Sequence, residues 1–371
     1  MSAVPAVGIL PYQDIAQLIA TGAICADGGV SEAQIQPASI DLRLGARAWR
    51  VRASFLPGKT ATVSSKIEQL KMHQIDLSQP VVLERGCIYI VELMEVLQLP
   101  ADISGKANPK SSTGRLDIFT RLITDAGNVF EGVAAGYQGR LYLEIVPRTF
   151  SVLAQQGTRL NQLRFVREDR SGSPAEVFDA TLHDVYADAS GVLPAVSNNG
   201  VWVSVDLAGA DSHGVIGYRA KHHAPLIDLA RINHYELQEF WEPLHSNASQ
   251  NLVLNPDDFY ILASRECIRI PAQFAASMVA YDPAVGEFRI HYAGFFDPGF
   301  GYSANGQGAR AVLEVRSHDV PFMIEHGQDV GRLIYERLLA VPEKIYGADL
   351  GSNYQSQGLK LGKQFKTPEK S

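Results

Sequence analysis

Three stretches of this chain hold residues whose types and spacing suit chemistry. The first is NPKSSTGR (108–115), which gathers Lys110, Ser111, Ser112 and Arg115. Serine hydroxyls donate to phosphate oxygens, a lysine adds a point charge, and an arginine offers a planar fork that matches an oxyanion. The same residues also suit a solvated turn. In a surface loop Arg115 would contribute little to stability. The second feature is a Gly- and aromatic-rich hairpin that runs into a strand bearing a carboxylate, and it occurs twice. ITDAGNVFEGVAAGYQGRLYLEI (123–145) carries Glu144, and HYAGFFDPGFGYSANGQGARAVLEV (291–315) carries Glu314. A glutamate between apolar neighbours either points outward on an alternating strand or is a buried base that moves protons. The third is the tail IYGADLGSNYQSQGLKLGK (345–363). Its aromatic and amide side chains suit an arm that closes over a ligand, and equally a loose terminus.

The elements that position these residues read as strands. Short alternating runs recur: SIDLRL (39–44), CIYIVEL (87–93), RLYLEIV (140–146), NQLRFV (161–166), SVDL (204–207), FYILAS (259–264) and ARAVLEVR (309–316). Gly, Pro and Asp break them, which is the pattern of an all-β barrel or sandwich. Helices are few: 11–26 has helical spacing at Ile15, Leu18 and Ile19, and 227–240 is a second candidate.

The chain also repeats itself. Leu83, Tyr89, Glu95 and Pro100 match Leu254, Tyr260, Glu266 and Pro271, each 171 positions on. Glu144, Gly157, Leu163 and Phe165 match Glu314, Gly327, Leu333 and Tyr335, each 170 positions on. That period is far longer than a solenoid unit, so the repeated unit is a domain. The expected division is a first domain over 1–167, a linker over 168–198 and a second domain over 199–371.

Composition narrows the function. A chain of 371 residues with 46% apolar residues can bury two cores. No apolar run approaches the roughly 18 residues of a membrane span, and the N-terminus lacks the basic start of a signal peptide. Three isolated cysteines, without a CxxC, argue against a disulfide framework or a thiolate zinc site and fit a cytoplasmic location. The net charge of -7 argues against broad nucleic-acid binding.

PASIDLRLG (37–45), KSSTGR (110–115), the hairpin with its LE strand, and the Tyr346…NYQSQG tail together resemble the dCTP deaminase family of the dUTPase superfamily. The length and repeat resemble its long, tandem form. The resemblance implies two dUTPase-like distorted β-barrels. It implies deamination of dCTP to dUTP, without zinc, by a glutamate that activates water to attack C4. The HxE…PCxxC pattern of zinc deaminases is indeed absent from the sequence. Ser111 and Arg115 would orient the water. Lys110, Ser112, Thr124, Asp297, Tyr346, Tyr354 and Gln357 would bind substrate, and Mg²⁺ would arrive on the triphosphate. Further implied are a homo-oligomer whose phosphate motif and hairpin meet across subunits, dTTP as a feedback ligand, and neither membrane nor nucleic-acid partners. The alternatives are a dUTP diphosphatase or bifunctional enzyme, for which Asp125 is the candidate water activator, and a non-catalytic nucleotide sensor.

The two halves keep different parts. SSxxR occurs only in the first, and its counterpart region reads MVAYDPAVGEFR (278–289). The hairpin aspartate is Asp297 in the second, where the first has Ala134. The family's tail lysine is replaced by Asn353, with Lys360 or Lys363 as substitutes. Two arrangements follow: a composite site using Glu314, or a first-half site using Glu144.

Overall fold

The computed structural model describes residues 7–168, 196–197, 200–209, 214–279, 288–290, 294–302, 308–317, 319–347 and 358–366. The chain divides into two compact units. The first comprises Met1–Glu176, Leu226–Arg231 and Arg337–Lys344; the second comprises Val177–Pro225, Ile232–Glu336 and Ile345–Ser371. Nearly all of the 168–198 segment lies outside the described residues. The all-β class with few short helices is the one observed.

The main strands of the first unit are β1 (Ile40–Val51), β2 (Ile88–Gln98), β3 (Ile103–Pro109), β4 (Ile118–Thr124), β5 (Gln138–Pro147) and β6 (Arg159–Arg167). They pair in the order β4-β5-β2-β1-β6-β3. Strand β1 joins the two halves of this path. Its Leu42 lies opposite Asn161 of β6, and its Ala48 opposite Val91 of β2. The crossing falls at Gly45, where a Cβ would sit 2.7 Å from the Glu92 carbonyl oxygen. A glycine lets the backbones pass and the sheet curl into a barrel-like form. Ile40, Leu44, Val91, Leu93, Leu143 and Leu163 are buried in it.

The second unit has β7 (Gly200–Ser204), β8 (Val215–Ala220), β9 (Tyr260–Ile268), β10 (Phe274–Val279), β11 (Ala309–Ser317) and β12 (Asp329–Arg337). Here the strands form two sheets, β7-β12-β10 and β8-β9-β11. Val203, Leu262, Leu313, Leu333 and Tyr335 belong to their common core.

The first helix is found over Tyr12–Ala20, burying Ile15 and Leu18. The second is corrected: within 227–240 only Leu237–Phe240 is helical. Ile227–Asp228 instead pairs in parallel with Val152–Ala154 of the first unit. The N–H groups of Ile227 and Leu229 donate to the carbonyls of Ser151 and Leu153, both at 3.1 Å, so they are spent on a sheet edge. The SVDL strand is also shorter than expected, since β7 stops at Ser204. The Asp206 carboxylate takes the Ala208 N–H at 2.9 Å, a turn that ends the extended chain.

Most matched repeat positions serve the fold. Glu95 is fully buried and takes the Arg43 N–H at 2.9 Å; Glu266 takes the Ser204 N–H at 2.8 Å. Tyr89 accepts from the Glu84 N–H and Tyr260 from the Asn255 N–H, both at 3.0 Å. Gly157 and Gly327 both adopt left-handed backbone, with φ of 85° and 80°.

Candidate active site

The NPKSSTGR segment leaves β3 and forms one helical turn, Ser111–Gly114. Pairing of the flanks fixes it: the Lys110 N–H donates to the Leu160 carbonyl at 2.9 Å, and Thr113 Oγ1 to the same oxygen at 2.7 Å. Arg115 Nε donates to Ser111 Oγ at 3.1 Å, so the two candidate residues are physically joined. Arg115 is only 2% exposed, which corrects its placement on a surface loop. Its guanidinium is part of the packing, and its loss would cost stability. Ser112 is buried, and Lys110 Nζ is paired with Asp41 of β1. Thr124 is buried at the end of β4.

Glu144 lies on β5 between β4 and β2, opposite Arg121 on one side and Ile90 on the other. It is fully buried. Its Oε1 accepts from Arg121 Nε at 2.9 Å and from Arg121 Nη2 at 2.6 Å. Among the described residues its Oε2, also buried, has no hydrogen-bond partner. The Arg121 guanidinium carbon lies 3.7 Å from the Phe130 ring centre, and Nη2 also donates to Ser54 Oγ at 2.6 Å.

A third charged group stands beside this pair. Glu131 has φ of 62°, left-handed backbone that is costly for a glutamate. Its carboxyl takes the Leu122 N–H at 3.2 Å and Asn161 Nδ2 at 3.5 Å. Burial pushes the carboxyl up to about 7, against the lowering effect of those donors and of Arg121, with the Glu144 charge adding to the rise. Asp125, the candidate diphosphatase residue, accepts the Val63 N–H at 2.6 Å and so caps the helix Val63–Leu70.

In the second unit Glu314 is buried on β11 opposite Ile261. Asp297 is buried at the start of the DPGF turn, where the Phe300 N–H donates to its carbonyl at 3.0 Å. Gly299, with φ of 93°, lets the tail approach: a Cβ there would lie 3.0 Å from the Tyr346 carbonyl oxygen. The Tyr346 N–H donates to Pro298 at 2.9 Å, and its ring lies 5.9 Å from that of Phe300. The start of the tail is thus seated on the aspartate turn. Tyr354, Gln357 and Asn353 lie outside the described residues. Beyond them the chain is anchored again, with Phe365 buried 5.4 Å from the Phe240 ring.

Arg121 and Glu131, the neighbours of the candidate Glu144, are residues the sequence reading did not name. Arg121 had a signal: in a hairpin that pairs Thr124 with Leu141, register alone places Arg121 opposite Glu144. Glu131 had none, since it sits in an irregular loop without periodicity. Among the described residues no group of three or more His, Cys, Asp or Glu side chains is placed to hold a metal ion, and no helix is long and apolar enough to cross a membrane.

Two family models match the chain. The N-terminal domain of 2′-deoxycytidine 5′-triphosphate deaminase matches residues 6–169, and the C-terminal domain matches 179–365. A solved structure titled 2′-deoxycytidine 5′-triphosphate deaminase from Agrobacterium tumefaciens is 49% identical, with a TM-score of 0.86 over 94% of this chain and 100% of that one. A protein of Parafrankia sp. named "dCTP deaminase, dUMP-forming" is 31% identical over 172 residues, 45% of this chain and 79% of its own. One of Acidothermus cellulolyticus with the same name is 30% identical over 172 residues, 45% of this chain and 83% of its own.

Proposed function

Since the chain belongs to the dCTP deaminase family in its two-domain form, we propose that it converts dCTP and water to dUTP and ammonia. The reaction draws on both halves. The first half holds the phosphates through Lys110, Ser111, Ser112 and Arg115, with Thr124 also on the substrate. In the second half Asp297 holds the deoxyribose and the tail with Tyr346, Tyr354 and Gln357 closes over. Glu314 takes a proton from water as the oxygen attacks C4, and returns it to the amino nitrogen, which leaves as ammonia. Mg²⁺ enters with the substrate on phosphate oxygens. The mechanism uses no zinc. The working enzyme is a cytoplasmic homo-oligomer, and dTTP, which shares the sugar and phosphates, is a feedback ligand.

What supports the choice of Glu314 is that the hairpin aspartate, Asp297, lies in the second half, where the first half has Ala134; the first half's glutamate is also committed within its own unit. Glu144 already spends Oε1 on two Arg121 donors. Two donors take up the acceptor capacity of that oxygen, so it is not open to a water proton.

A second reading, release of dUMP, is favoured by the names of the relatives at 30–31% identity. Asp125 suits it poorly as water activator, because its Oδ1 is committed to Val63. The 49%-identical protein is titled a deaminase alone. Incubation with dCTP and separation of the products tests both readings. Ammonia with dUTP supports the first, ammonia with dUMP and pyrophosphate the second, and no ammonia overturns both.

A further inference from the structure

The first unit keeps a buried strand glutamate and an aromatic plane beside it, yet its own side chain fills the seat these form. We propose that this seat is a closed, self-liganded nucleobase site, with the Arg121 guanidinium standing where a planar amidine ligand would lie. Each chain then offers one nucleotide site rather than two. The inference rests on the family reading above, which makes a strand glutamate the residue that faces the base.

The geometry is that of ligand recognition. A guanidinium is a planar N–C–N group with in-plane N–H donors; the amidine edge of cytosine is likewise a planar N–C–N group and donates through its exocyclic amine, with N3 as an acceptor. Arg121 lies over Phe130 at 3.7 Å and within 4.9 Å of the Phe119 ring centre, as a stacked base would. Its edge donates twice to Glu144 Oε1, and Ser54 Oγ accepts from Nη2. The side chain of Arg121 is 26% exposed and that of Glu144 1%. The carboxylate is therefore sealed beneath the guanidinium, and a base could reach it only by displacing Arg121. Truncating one partner of such a pair leaves a buried charge unpaired, so the seat is also strongly held shut.

The test has two parts, both on the full chain. Arg121→Ala should lower the thermal midpoint by about 10 °C. Guanidinium chloride at low millimolar concentration should then give a saturable rise in that midpoint, as binding to the native state requires. The same salt should leave the wild type unraised, and sodium chloride should leave the variant unraised. Should the variant fold too poorly to measure, the wild type is titrated calorimetrically with α,β-imido-dUTP, which has no amino group to lose and no α–β oxygen bridge to split. One molecule bound per chain supports the closed seat. Two per chain, or a variant midpoint that follows the wild type throughout the guanidinium titration, overturns it. Ammonia release is read separately, so a failure of the catalytic assignment is told apart from a failure of the seat.

Discussion

Glu144 and Glu314 each lie beside an isoleucine on the neighbouring strand, Ile90 in the first unit and Ile261 in the second. Beyond that shared neighbour the two hairpins diverge. In the first, Arg121, stacked on Phe130, pairs with the glutamate, and Ala134 stands where the second has Asp297. In the second, the DPGF turn keeps Asp297 and carries Tyr346. The offset of 170 that takes Glu144 to Glu314 takes Arg121 to His291, a shorter side chain without the fork. The difference teaches that the two halves share the strand glutamate and differ in what surrounds it. The first half has SSxxR and no hairpin aspartate; the second has the aspartate turn and no SSxxR.

The contrast breaks most readily at Arg121. Arg121→Ala leaves Glu144 charged and buried without its partner, and should cost about 3–5 kcal/mol of unfolding free energy, read by chemical denaturation. A cost below about 1 kcal/mol would show that the pair is no more than a surface bridge.

The pH response sharpens the comparison next. Glu131 goes from 4.5 unfolded to about 7 folded, chiefly through burial. The folded state therefore binds the extra proton, and this contribution to stability is full below pH 4.5 and lost as pH rises through 7. The size is up to about 3 kcal/mol. Glu131→Gln cannot ionise, so its stability should stay flat over that window where the wild type declines. Equal slopes for the two proteins would remove Glu131 as the cause.

A smaller effect is expected at the phosphate motif. Ser111→Ala removes the acceptor of the Arg115 Nε–H. It should slow deamination by about tenfold to a hundredfold, and because the buried Arg115 donor loses this acceptor it should also cost on the order of 1–3 kcal/mol of stability. An unchanged rate would take Ser111 out of the reaction.

How legible this was depended on what the pattern encodes. Alternation in SIDLRL and RLYLEIV gave the strands because one face of each is buried. The matched Glu95/Glu266 and Tyr89/Tyr260 pairs marked the duplication because both copies need the same backbone bonds. The 227–240 segment misled because its apolar spacing is spent on a sheet edge of the first unit. Arg115 misled because polarity suggested a surface while the turn buries it. Glu131 was unreadable, since its carboxyl is held by the Leu122 N–H nine residues before it and by Asn161 of a strand remote in sequence.

The division of labour is tested most directly by comparing ammonia release from Glu314→Gln and Glu144→Gln under saturating dCTP and Mg²⁺. Glutamine keeps the shape and removes the base, and a general base contributes about 10²–10⁴ in rate. The account predicts that Glu314→Gln binds dCTP but loses about that factor, while Glu144→Gln keeps the wild-type order of rate per folded molecule. An active Glu314→Gln beside an inactive, folded Glu144→Gln would contradict it and place the chemistry in the first half.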